Sequence, residues 1–516
     1  MHSTPHDDQR AAIAFLGRAS CYGPGVERVE IVETHVSIVF LAGDHAYKLK
    51  RAVRLPYLDF STVRRRHRAC AAELALNRRT APALYLDLRR LGRDSAGGVG
   101  FSNRGTAVDW VVVMRRFDQA LLFDALAKAG RLEPRVMDAL ADHIVGFHEA
   151  AERRFDWGGA AAIGAIGEEN HGLLAAAQQA GFPEDRVQQL YRLWRQRLSA
   201  VAQLLDRRRD AGQVRRCHGD LHLRNICLLD GEPTLFDCLE FSERLACIDT
   251  LYDIAFLLMD LEYRGLVGHA SRVLNRYLDR CGDEEGLRAM PLFLSLRAGI
   301  RAHVTATAIE RAASGDAPAM AGEARGYLDL AYRALQPPQP ARLVAIGGLS
   351  GSGKSTLAAA LAPELGTMPG ARLLRSDVTR KLLLGVAPET PLPNDTYHPD
   401  VTRRVYDALR QKAATALAAG YSVIIDAVSL QPDERTSFAE VARGAGVSFS
   451  GLWLDAEAEA MTSRIARRRG DASDATAAIL EQQLRGDPGP IDWTRIDAGD
   501  GMDECLAAAR RALALD

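Results

Sequence analysis

The chain has 516 residues, and length alone suggests about three domains. Its 65 Lys and Arg residues nearly balance its 66 Asp and Glu residues, so the formal net charge of −1 creates no global field for nucleic acid or an anionic membrane. Hydrophobic residues make up 47% of the chain, yet no apolar run reaches the ~20 residues of a membrane-spanning helix. These features argue against nucleic-acid and membrane partners.

The N-terminus and the cysteines indicate a cytoplasmic protein. Residues 1–10, MHSTPHDDQR, are polar and lack the basic-then-apolar order of a signal peptide. The eight cysteines are scattered and contain no C-x-x-C pair, which is typical of reduced thiols. The composition carries no signal for the oligomeric state.

The first 115 residues predict a small, mostly antiparallel sheet with one helix. A hairpin turn at residues 42–44 separates two apolar runs. Ser61 or Thr62 can cap a helix that runs through residues 64–79. The strand-like runs are residues 26–32, 36–41, 46–50, 85–91 and 108–114.

The rest of the chain divides at a proline-rich stretch. Residues 121–335 predict helices, and the arginine-rich part at 192–216 is typical of a solvated helix face. Residues 336–340, QPPQP, predict a stiff linker. Strands and helices then alternate, as in a parallel α/β domain, with strands at residues 343–346, 373–375, 423–425 and 450–454.

One loop in the helical region has the pattern of a kinase catalytic loop. Residues 218–225 read HGDLHLRN and give Asp220 and Asn225 the D-x-x-x-x-N spacing. A short apolar run downstream ends in Asp237. Phosphoryl transfer to a hydroxyl needs one carboxylate to orient or deprotonate that hydroxyl, and an amide and a second carboxylate to hold Mg²⁺. Asp220, Asn225 and Asp237 can supply these groups.

A lysine that steadies the phosphates completes such a site, and Lys48 is the candidate. The chain has only six lysines, so a lysine retained among so many arginines is informative, because ammonium and guanidinium groups differ at a phosphate. Glu73, on the helix after Lys48, can pair with it. Lys50 competes for the same role.

The two histidines of this loop allow another interpretation. His218 and His222 are four residues apart, which invites a zinc site. They lie in a loop with no H-E-x-x-H pattern and no nearby cysteine pair, which disfavours zinc.

The residues 218–225, the run LFDCLEFSE and the later Asp249 and Asp253 resemble the aminoglycoside phosphotransferase and choline kinase-like family. The resemblance covers residues 20–335 and implies the two-lobed protein kinase-like fold. It implies that Asp220 is the catalytic base and that Asn225 and Asp237 are metal ligands. It also implies that Asp249 and Asp253 tie the loop to the following helix.

The chain departs from the kinase pattern in the first hairpin. Residues 33–37, ETHVS, contain no glycine-rich phosphate loop. Two interpretations of the first domain therefore stay open: an active kinase, or a nucleotide-binding module without turnover.

The strongest motif begins the second domain. It has the form G-x-x-x-x-G-K-[ST], lies between an apolar run and a helix-forming run, and predicts a phosphate-binding P-loop. Backbone N–H groups and the helix N-terminus would surround the phosphates, Lys354 would reach the β- and γ-phosphates, and Ser355 would hold Mg²⁺. The predicted nucleotide-binding residues are Gly348, Leu349, Ser350, Gly351, Ser352, Gly353, Lys354, Ser355 and Thr356.

Later residues supply candidates for the chemistry at this loop. Asp377 ends a strand and can face an acceptor hydroxyl, and Arg380 can bind an anionic group of the acceptor; the alternative for Asp377 is a helix N-cap. Asp426 ends an apolar run and is a candidate Mg²⁺ ligand. Arg467, in an arginine cluster, can neutralise charge on the transferred phosphoryl group, or it lies on a solvated helix end. Arg435 is a weaker acceptor-side candidate.

Residues 342–516 resemble the family of gluconate kinases, zeta toxins and polynucleotide 5′-kinases. The segment RRRGDASDA at residues 467–475 resembles the lid of that family. The resemblance implies a small P-loop kinase in which Asp377 and Lys354 are catalytic.

The sequence therefore predicts an α/β and α+β protein of two domains. The first, residues 1–335, is protein kinase-like, with a small lobe at 1–115 and a helical lobe at 116–335. Residues 336–341 are the linker, and residues 342–516 form the parallel α/β P-loop domain.

The predicted function is ATP- and Mg²⁺-dependent transfer of the γ-phosphate to a hydroxyl of a small molecule. The fusion of the two domains resembles a group of bacterial bifunctional proteins. Two alternatives are a regulatory nucleotide-binding protein with a degenerate first domain, and a toxin-like kinase of a nucleotide sugar or a nucleic-acid end.

Overall fold

The computed structural model describes residues 7–34, 36–55, 58–309, 316–336, 340–467, 471–499 and 501–515. Its packing divides the chain into two compact units. Unit 1 comprises Met1–Gly158 and Arg209–Ile254, and unit 2 comprises Gly159–Arg208 and Ala255–Asp516. Part of the predicted linker, residues 337–339, lies outside the described residues, and the domain boundary placed there stays a prediction.

The N-terminal part of unit 1 is an antiparallel sheet between two helices. The strand order is β1-β2-β3-β8-β6-β7, with antiparallel pairing between all neighbours. The elements are α1 (Asp7–Leu16), β1 (Val29–Glu33), β2 (Ser37–Ala42), β3 (His45–Lys50), β4 (Arg54–Leu55), β5 (Leu58–Asp59), α2 (Val63–Asn77), β6 (Tyr85–Arg93), β7 (Val99–Phe101) and β8 (Thr106–Arg115).

Successive side chains along each strand point to opposite faces of this sheet, and each face packs against a hydrophobic core. Phe40 and Leu49 face a core that α1 closes with Leu16. Leu41 and Ala46 face the opposite core, which includes residues of α2. Thr62 caps α2 by accepting a hydrogen bond from Arg65 N, as one of the two predicted caps. The predicted antiparallel sheet is confirmed, but the prediction of one helix is wrong, because α1 precedes the hairpin and α2 follows it.

The middle of the chain is mostly helical, and four short strands interrupt it. The elements are α3 (Phe123–Lys128), α4 (Pro134–Ala150), α5 (Gly159–Ala176), α6 (Glu184–Asp210), β9 (Val214–Arg216), β10 (Ile226–Leu229), β11 (Glu232–Leu235), α7 (Glu243–Ala246), β12 (Cys247–Asp249), α8 (Thr250–Tyr263), α9 (Val267–Cys281), α10 (Met290–Ile309) and α11 (Ala317–Arg333). The prediction of a purely helical region is wrong between α6 and α8. Strands β9 to β12 have three or four residues each, too few to show alternation.

These short strands hold the loop at residues 217–225. β9 precedes the loop and pairs with β12, and β10 follows it and pairs with β11, both in antiparallel register. The loop is therefore anchored at both ends by backbone hydrogen bonds.

The C-terminal part of unit 2 is a parallel sheet flanked by helices. The strand order is β14-β15-β13-β16-β17, and all pairs are parallel. The elements are β13 (Arg342–Gly348), α12 (Lys354–Leu361), β14 (Arg372–Arg375), α13 (Ser376–Leu383), α14 (Pro399–Ala418), β15 (Val423–Asp426), α15 (Pro432–Ala445), β16 (Ser448–Asp455), α16 (Ala458–Arg467), α17 (Ala477–Arg485), β17 (Thr494–Asp497) and α18 (Met502–Ala512).

The predicted parallel α/β domain is confirmed, with one strand more than expected. Its four predicted strands correspond to β13, β14, β15 and β16. The fifth strand, β17, was missed because three of its four residues are exposed and polar. In such sheets ligands bind at the carboxyl ends of the strands, so Gly348, Arg375 and Asp426 mark the edge of interest.

Helix α9 covers the free edge of β14. Asn275 uses its side-chain amide as a strand would: Nδ2 donates to Ala371 O at 3.1 Å and Oδ1 accepts from Leu373 N at 2.7 Å. The buried Arg372 guanidinium between them pairs with Asp279 at 2.7 Å and Glu284 at 3.1 Å. These contacts protect an edge that would otherwise expose unpaired backbone groups.

None of the helices within the described ranges is long and apolar enough to cross a membrane.

Candidate active sites

The glycine-rich loop of unit 2 connects β13 to α12. At Gly351, where φ is +85°, a Cβ atom would lie 2.6 Å from Met461 O, so only glycine fits. Lys354 begins α12, and its buried Nζ donates to Gly348 O and Leu349 O at 2.9 Å each. The ammonium group therefore lies against the loop that would surround phosphates.

A buried hydroxyl also fits a phosphate ligand at this loop. Ser352 Oγ is buried, and in the part of the chain that the structure describes it has no hydrogen-bond partner. Ser350 N donates to Gln483 Oε1 at 2.9 Å, whereas Thr356 is exposed on the first turn of α12. An orphaned hydroxyl and a lysine beside turned glycines are the donors that a phosphate requires.

The predicted magnesium ligands of unit 2 are in direct contact. Ser355 Oγ donates to Asp426 Oδ2 at 2.6 Å. Strand register explains the contact, because Ile346 of β13 lies beside Asp426 of β15 just before the loop begins. A hydroxyl and a carboxylate are oxygen ligands of the kind that Mg²⁺ takes.

Arg375 joins this pair, and the sequence analysis did not identify it. Its Nε lies 3.4 Å from Asp426 Oδ2, and its Nη2 lies 2.7 Å from Asp471 Oδ1. No motif marks Arg375, and its position as the last residue of β14 was the only available signal.

Asp377 lies in the first turn of α13 and is half-buried. The N-cap of α13 is Arg375, so Asp377 is inside the helix and the N-cap alternative is wrong. Burial raises the pKa of the Asp377 carboxyl, the Asp426 carboxylate raises it further, and a hydrogen bond from Ser473 opposes this rise. The arrangement suits a carboxylate that accepts a proton.

Arg380 is a buried cation on the same helix. It donates to Thr396 O at 3.1 Å and to Thr402 Oγ1 at 3.3 Å, and its guanidinium carbon lies 4.6 Å from the centre of the Tyr397 ring. Its Nε has no hydrogen-bond partner within the described residues. These neighbours solvate the guanidinium without neutralising it, which leaves it suited to an anion.

The other predicted arginines differ in their surroundings. Arg467 is the last residue of α16 and is exposed, and residues 468–470 of the predicted lid lie outside the described residues. From the same helix, Arg464 reaches the loop by donating to Ser352 O at 3.4 Å. Arg435 is buried and donates to four backbone carbonyls, those of Ser429, Leu430, Pro488 and Pro490, so it holds two loops together and is not placed for an acceptor.

In unit 1 the predicted connection of the catalytic loop to the following helix is present. His218 N and Gly219 N donate to the two carboxylate oxygens of Asp253, at 3.0 and 2.9 Å. His148 Nε2 lies 3.1 Å from the same carboxylate. Asp249 accepts from Leu251 N at 2.9 Å at the start of α8.

The loop brings Asp220 and Asn225 together. Asn225 Nδ2 donates to both the carbonyl and the carboxylate of Asp220, at 2.9 Å each, which turns the amide oxygen away from Asp220. That oxygen is the atom that binds a metal ion. Asp237 follows with φ at +64°, a backbone conformation that costs energy outside glycine and that clusters at functional sites.

Lys48 and Glu73 form the predicted pair in a buried cluster of charges. Lys48 Nζ lies 2.8 Å from Glu73 Oε1 and 2.5 Å from Asp237 Oδ1. Lys50 Nζ lies 2.5 Å from Glu73 Oε2 and 2.5 Å from Glu240 Oε1. Both lysines therefore contact Glu73, but it is Lys48 that reaches Asp237. The Lys50–Glu240 pair was missed because no spacing rule connects these residues.

The electrostatics of Glu73 follow from these contacts. Burial alone would raise its pKa, but the two ammonium groups lower it to about 2. The pKa of Lys48 is raised against the effect of burial by Asp237 and Glu73. Glu73 and Lys48 are therefore both charged at neutral pH.

The histidines of the loop contact backbone atoms. His218 Nε2 lies 3.0 Å from Phe236 O, and His222 Nδ1 accepts from Arg224 N. In the first hairpin, Thr34 closes the glycine-free turn through three hydrogen bonds with Ser37, and His35 lies outside the described residues.

Two family models match the chain. The model described as "Phosphotransferase enzyme family" matches residues 58–290, and the model described as "AAA domain" matches residues 343–487. Both predicted resemblances and the predicted fold class are therefore confirmed. The chain carries two kinase-type domains, one kinase-like and one of the P-loop class.

Two solved structures illustrate the likeness. A choline/ethanolamine kinase family protein from Mesorhizobium loti is 14% identical, covers 64% of this chain and 95% of its own, and has a TM-score of 0.38. A gluconokinase from Sinorhizobium meliloti is 23% identical, covers 34% and 92%, and has a TM-score of 0.25.

Relatives that match most of the chain occur in mycobacteria. An uncharacterized protein of Mycobacterium tuberculosis and one of Mycobacterium bovis are each 32% identical over 458 residues, which is 87% of this chain and 88% of theirs. The chain therefore belongs to one family with these mycobacterial proteins, and it joins a phosphotransferase-family domain to a P-loop kinase-like domain.

Proposed function

We propose that this protein is an ATP- and Mg²⁺-dependent phosphotransferase that moves the γ-phosphate to a hydroxyl of a small molecule. The P-loop domain is its principal catalytic domain. The observation that carries the proposal is the 2.6 Å hydrogen bond between Ser355 and Asp426, beside the glycine-rich loop that Lys354 contacts. The loop, the lysine and the oxygen pair are the parts that phosphoryl transfer requires.

Each residue has a role in this proposal. Lys354 and the N–H groups of the loop bind the phosphates, and Ser355 and Asp426 would hold Mg²⁺, which neutralises phosphate charge when bound. Asp377 accepts the proton of the acceptor hydroxyl. Its raised pKa makes it a stronger base than an ordinary aspartate. Arg375 adds positive charge beside Asp426.

The acceptor carries an anionic group in this proposal. Arg380 supports this because it is buried and lies one helical turn after Asp377 on α13. It interacts with a carbonyl, a hydroxyl and an aromatic ring. A carboxylate or phosphate on the acceptor would provide a counter-charge, which the partners of Arg380 among the described residues do not supply. Tyr397, which stacks on Arg380, would form one wall of that subsite.

A second site in unit 1 is the other part of the proposal. The 2.8 Å Lys48–Glu73 pair and the Asn225–Asp220 contact favour an active kinase, with Asp220 as base and Asn225 and Asp237 as the Mg²⁺ ligands. The glycine-free turn near Thr34 favours the alternative of a nucleotide-binding module without turnover.

A panel of hydroxyl compounds with and without an anionic group tests the proposal. The full chain is incubated with ATP and Mg²⁺, and phosphorylated products are identified by mass spectrometry. We expect products from anionic acceptors that disappear in Asp377→Asn and persist in Asp220→Asn. Products unaffected by Asp377→Asn would contradict the role of the P-loop domain. Growth arrest on expression, relieved by Asp377→Ala, would instead favour the toxin-like alternative.

A further inference from the structure

The carboxylate of Asp474 contacts three hydrogen-bond donors of the P-loop domain. Lys381 Nζ donates to Asp474 Oδ1 at 3.1 Å, and Leu392 N and Tyr397 Oη donate to Asp474 Oδ2 at 3.2 and 3.3 Å. One ammonium, one backbone N–H and one hydroxyl therefore surround this carboxylate. Donors of these kinds also recognise a carboxylate or a phosphate on a ligand.

The buried charge of Lys381 makes this set of donors an anion site. The Lys381 side chain is 1% exposed, and among the described residues Asp474 is its only ion-pair partner. A buried ammonium without an opposite charge is strongly unfavourable, so an anion must stay beside it. A molecule that displaces Asp474 must therefore bring a negative charge of its own.

The anion site adjoins the positions that the proposed function assigns to the acceptor. Asp377 and Lys381 are four residues apart on α13, so they lie on the same face of the helix, about 6 Å apart along its axis. The guanidinium carbon of Arg380 lies 4.6 Å from the ring centre of Tyr397, whose hydroxyl contacts Asp474. The acceptor hydroxyl at Asp377 and its anionic group near Arg380 are thus both next to these donors.

The position of Asp474 in the chain allows it to leave the site. Residues 471–476, between α16 and α17, form neither helix nor strand. Moving Asp474 away from Lys381 therefore breaks no hydrogen bond of regular secondary structure.

We propose that the three donors around Asp474 bind the anionic group of the acceptor, and that Asp474 occupies this subsite as an internal competitor. The inference rests on the proposed function and deepens it, because it names the groups that select the acceptor. An anionic acceptor replaces the Asp474 carboxylate with its own carboxylate or phosphate, and Lys381 keeps a counter-charge. A neutral acceptor would leave Lys381 unpaired, so the ion pair excludes it.

Binding of inorganic phosphate to the full chain tests the inference without turnover. The chain is saturated with a non-hydrolysable ATP analogue and Mg²⁺, which keeps phosphate out of the glycine-rich loop, and phosphate is titrated by calorimetry. Asp474→Asn removes the competing charge, so it should bind phosphate at least about tenfold more tightly than wild type. The double variant Asp474→Asn, Lys381→Met should lose this gain. The exposed Asp492 provides the matched control Asp492→Asn, which should bind phosphate as wild type does.

The kinetics of an anionic acceptor supply a second measurement. Asp474→Asn should lower KM for the acceptor at least about tenfold and leave KM for ATP unchanged, whereas a purely structural ion pair would lower kcat or raise KM when broken. The double variant with Lys381→Met buries no charge at this place, so its folding does not depend on an ion pair. It should raise KM for the acceptor above the wild-type value, because the cation of the subsite is lost.

The outcomes separate the inference from the proposed function. Equal phosphate affinity in wild type and Asp474→Asn, or a gain that persists in the double variant, would overturn the inference alone. An acceptor KM that does not fall in Asp474→Asn, or does not rise in the double variant, would do the same while product formation still requires Lys354. Absence of any product that requires Lys354 would overturn the proposed function and the inference with it.

Discussion

Ser355 and Asp426 are joined by a 2.6 Å hydrogen bond that connects the first turn of α12 to the end of β15. The two residues are 71 positions apart in sequence and meet because β13 and β15 are parallel neighbours. Their two oxygens lie at the carboxyl edge of the sheet, beside the loop that holds Lys354. The proposed Mg²⁺ site of the P-loop domain depends on this contact.

Replacing Asp426 with Asn should weaken the response to Mg²⁺. The substitution removes a charged oxygen ligand, so we expect the Mg²⁺ concentration for half-maximal activity to rise at least about tenfold. Asp455, which ends the adjacent strand β16, is the matched control. Equal Mg²⁺ dependence in Asp426→Asn and Asp455→Asn would remove Asp426 from the metal site.

The activity of the P-loop domain should decline at acidic pH because of Asp377. A general base works deprotonated, and burial together with Asp426 raises the pKa of Asp377. The acidic limb of kcat/KM should therefore lie above the ordinary Asp value of about 3.9, and activity should fall as pH falls through it. Asp377→Asn should lower kcat about 10²- to 10⁴-fold. A flat profile down to pH 4 would argue against this role.

Glu73→Gln should destabilise unit 1. Two buried ammonium groups would lose their shared carboxylate, and we expect a loss of about 3–5 kcal/mol in the free energy of unfolding, measured with urea. The exposed Glu33–Arg51 pair offers the control Glu33→Gln, with an expected change below about 1 kcal/mol.

The ion pairs of Glu73 with Lys48 and Lys50 also make the stability of unit 1 depend on pH. The folded pKa of Glu73 is about 2, below its ordinary value, so its contribution is fully present above pH ~4.3 and is lost as pH falls toward 2. The stability difference between wild type and Glu73→Gln should therefore shrink in acid. A difference that grows as pH falls would contradict the buried ion pair.

Arg372→Met should destabilise unit 2 and disturb its active site. It would leave Asp279 without its cation and the buried Glu284 with only Lys412, 3.6 Å away, at an expected cost of about 3–5 kcal/mol. Because β14 leads directly to Arg375 and Asp377, kcat should also fall. The exposed Arg495 provides the control Arg495→Met, which should change stability by less than about 1 kcal/mol.

Two nucleotide sites predict two bound nucleotides per chain. Titration with a non-hydrolysable ATP analogue and Mg²⁺ should give two equivalents in wild type. It should give one in Lys48→Met, because the nucleotide of unit 1 would lose its lysine contact to phosphate. The remaining equivalent should disappear in the Lys48→Met, Lys354→Ala double variant. One equivalent in wild type, lost in Lys354→Ala, would show that unit 1 does not bind nucleotide.

Residues within contiguous motifs were predictable from the sequence. The loop ending at Ser355 has a fixed spacing and a strand before it, so its backbone follows from local chemistry. Asp220 and Asn225 meet for the same reason, across five positions. Lys48 and Glu73 required only the order of strand and helix known for kinases.

Contacts between distant residues with no motif were not predictable. Arg375 reaches Asp471 across 96 positions, and Arg372 reaches Glu284 across 88, because the tertiary fold brings them together. Lys50 and Glu240 meet in the same way across 190 positions. Strands β9 to β12 and β17 are too short or too polar to show periodicity.

The central claim is that the P-loop domain transfers the γ-phosphate, and one comparison tests it most directly. ADP formation at saturating ATP, Mg²⁺ and acceptor is measured for Asp220→Asn and for the Asp220→Asn, Lys354→Ala double variant. The first substitution silences unit 1, so the P-loop domain alone contributes. We predict a fall of at least about 100-fold in the double variant, because Lys354 supplies the charge that steadies the transferred phosphoryl group. Equal rates in the two proteins would contradict the account.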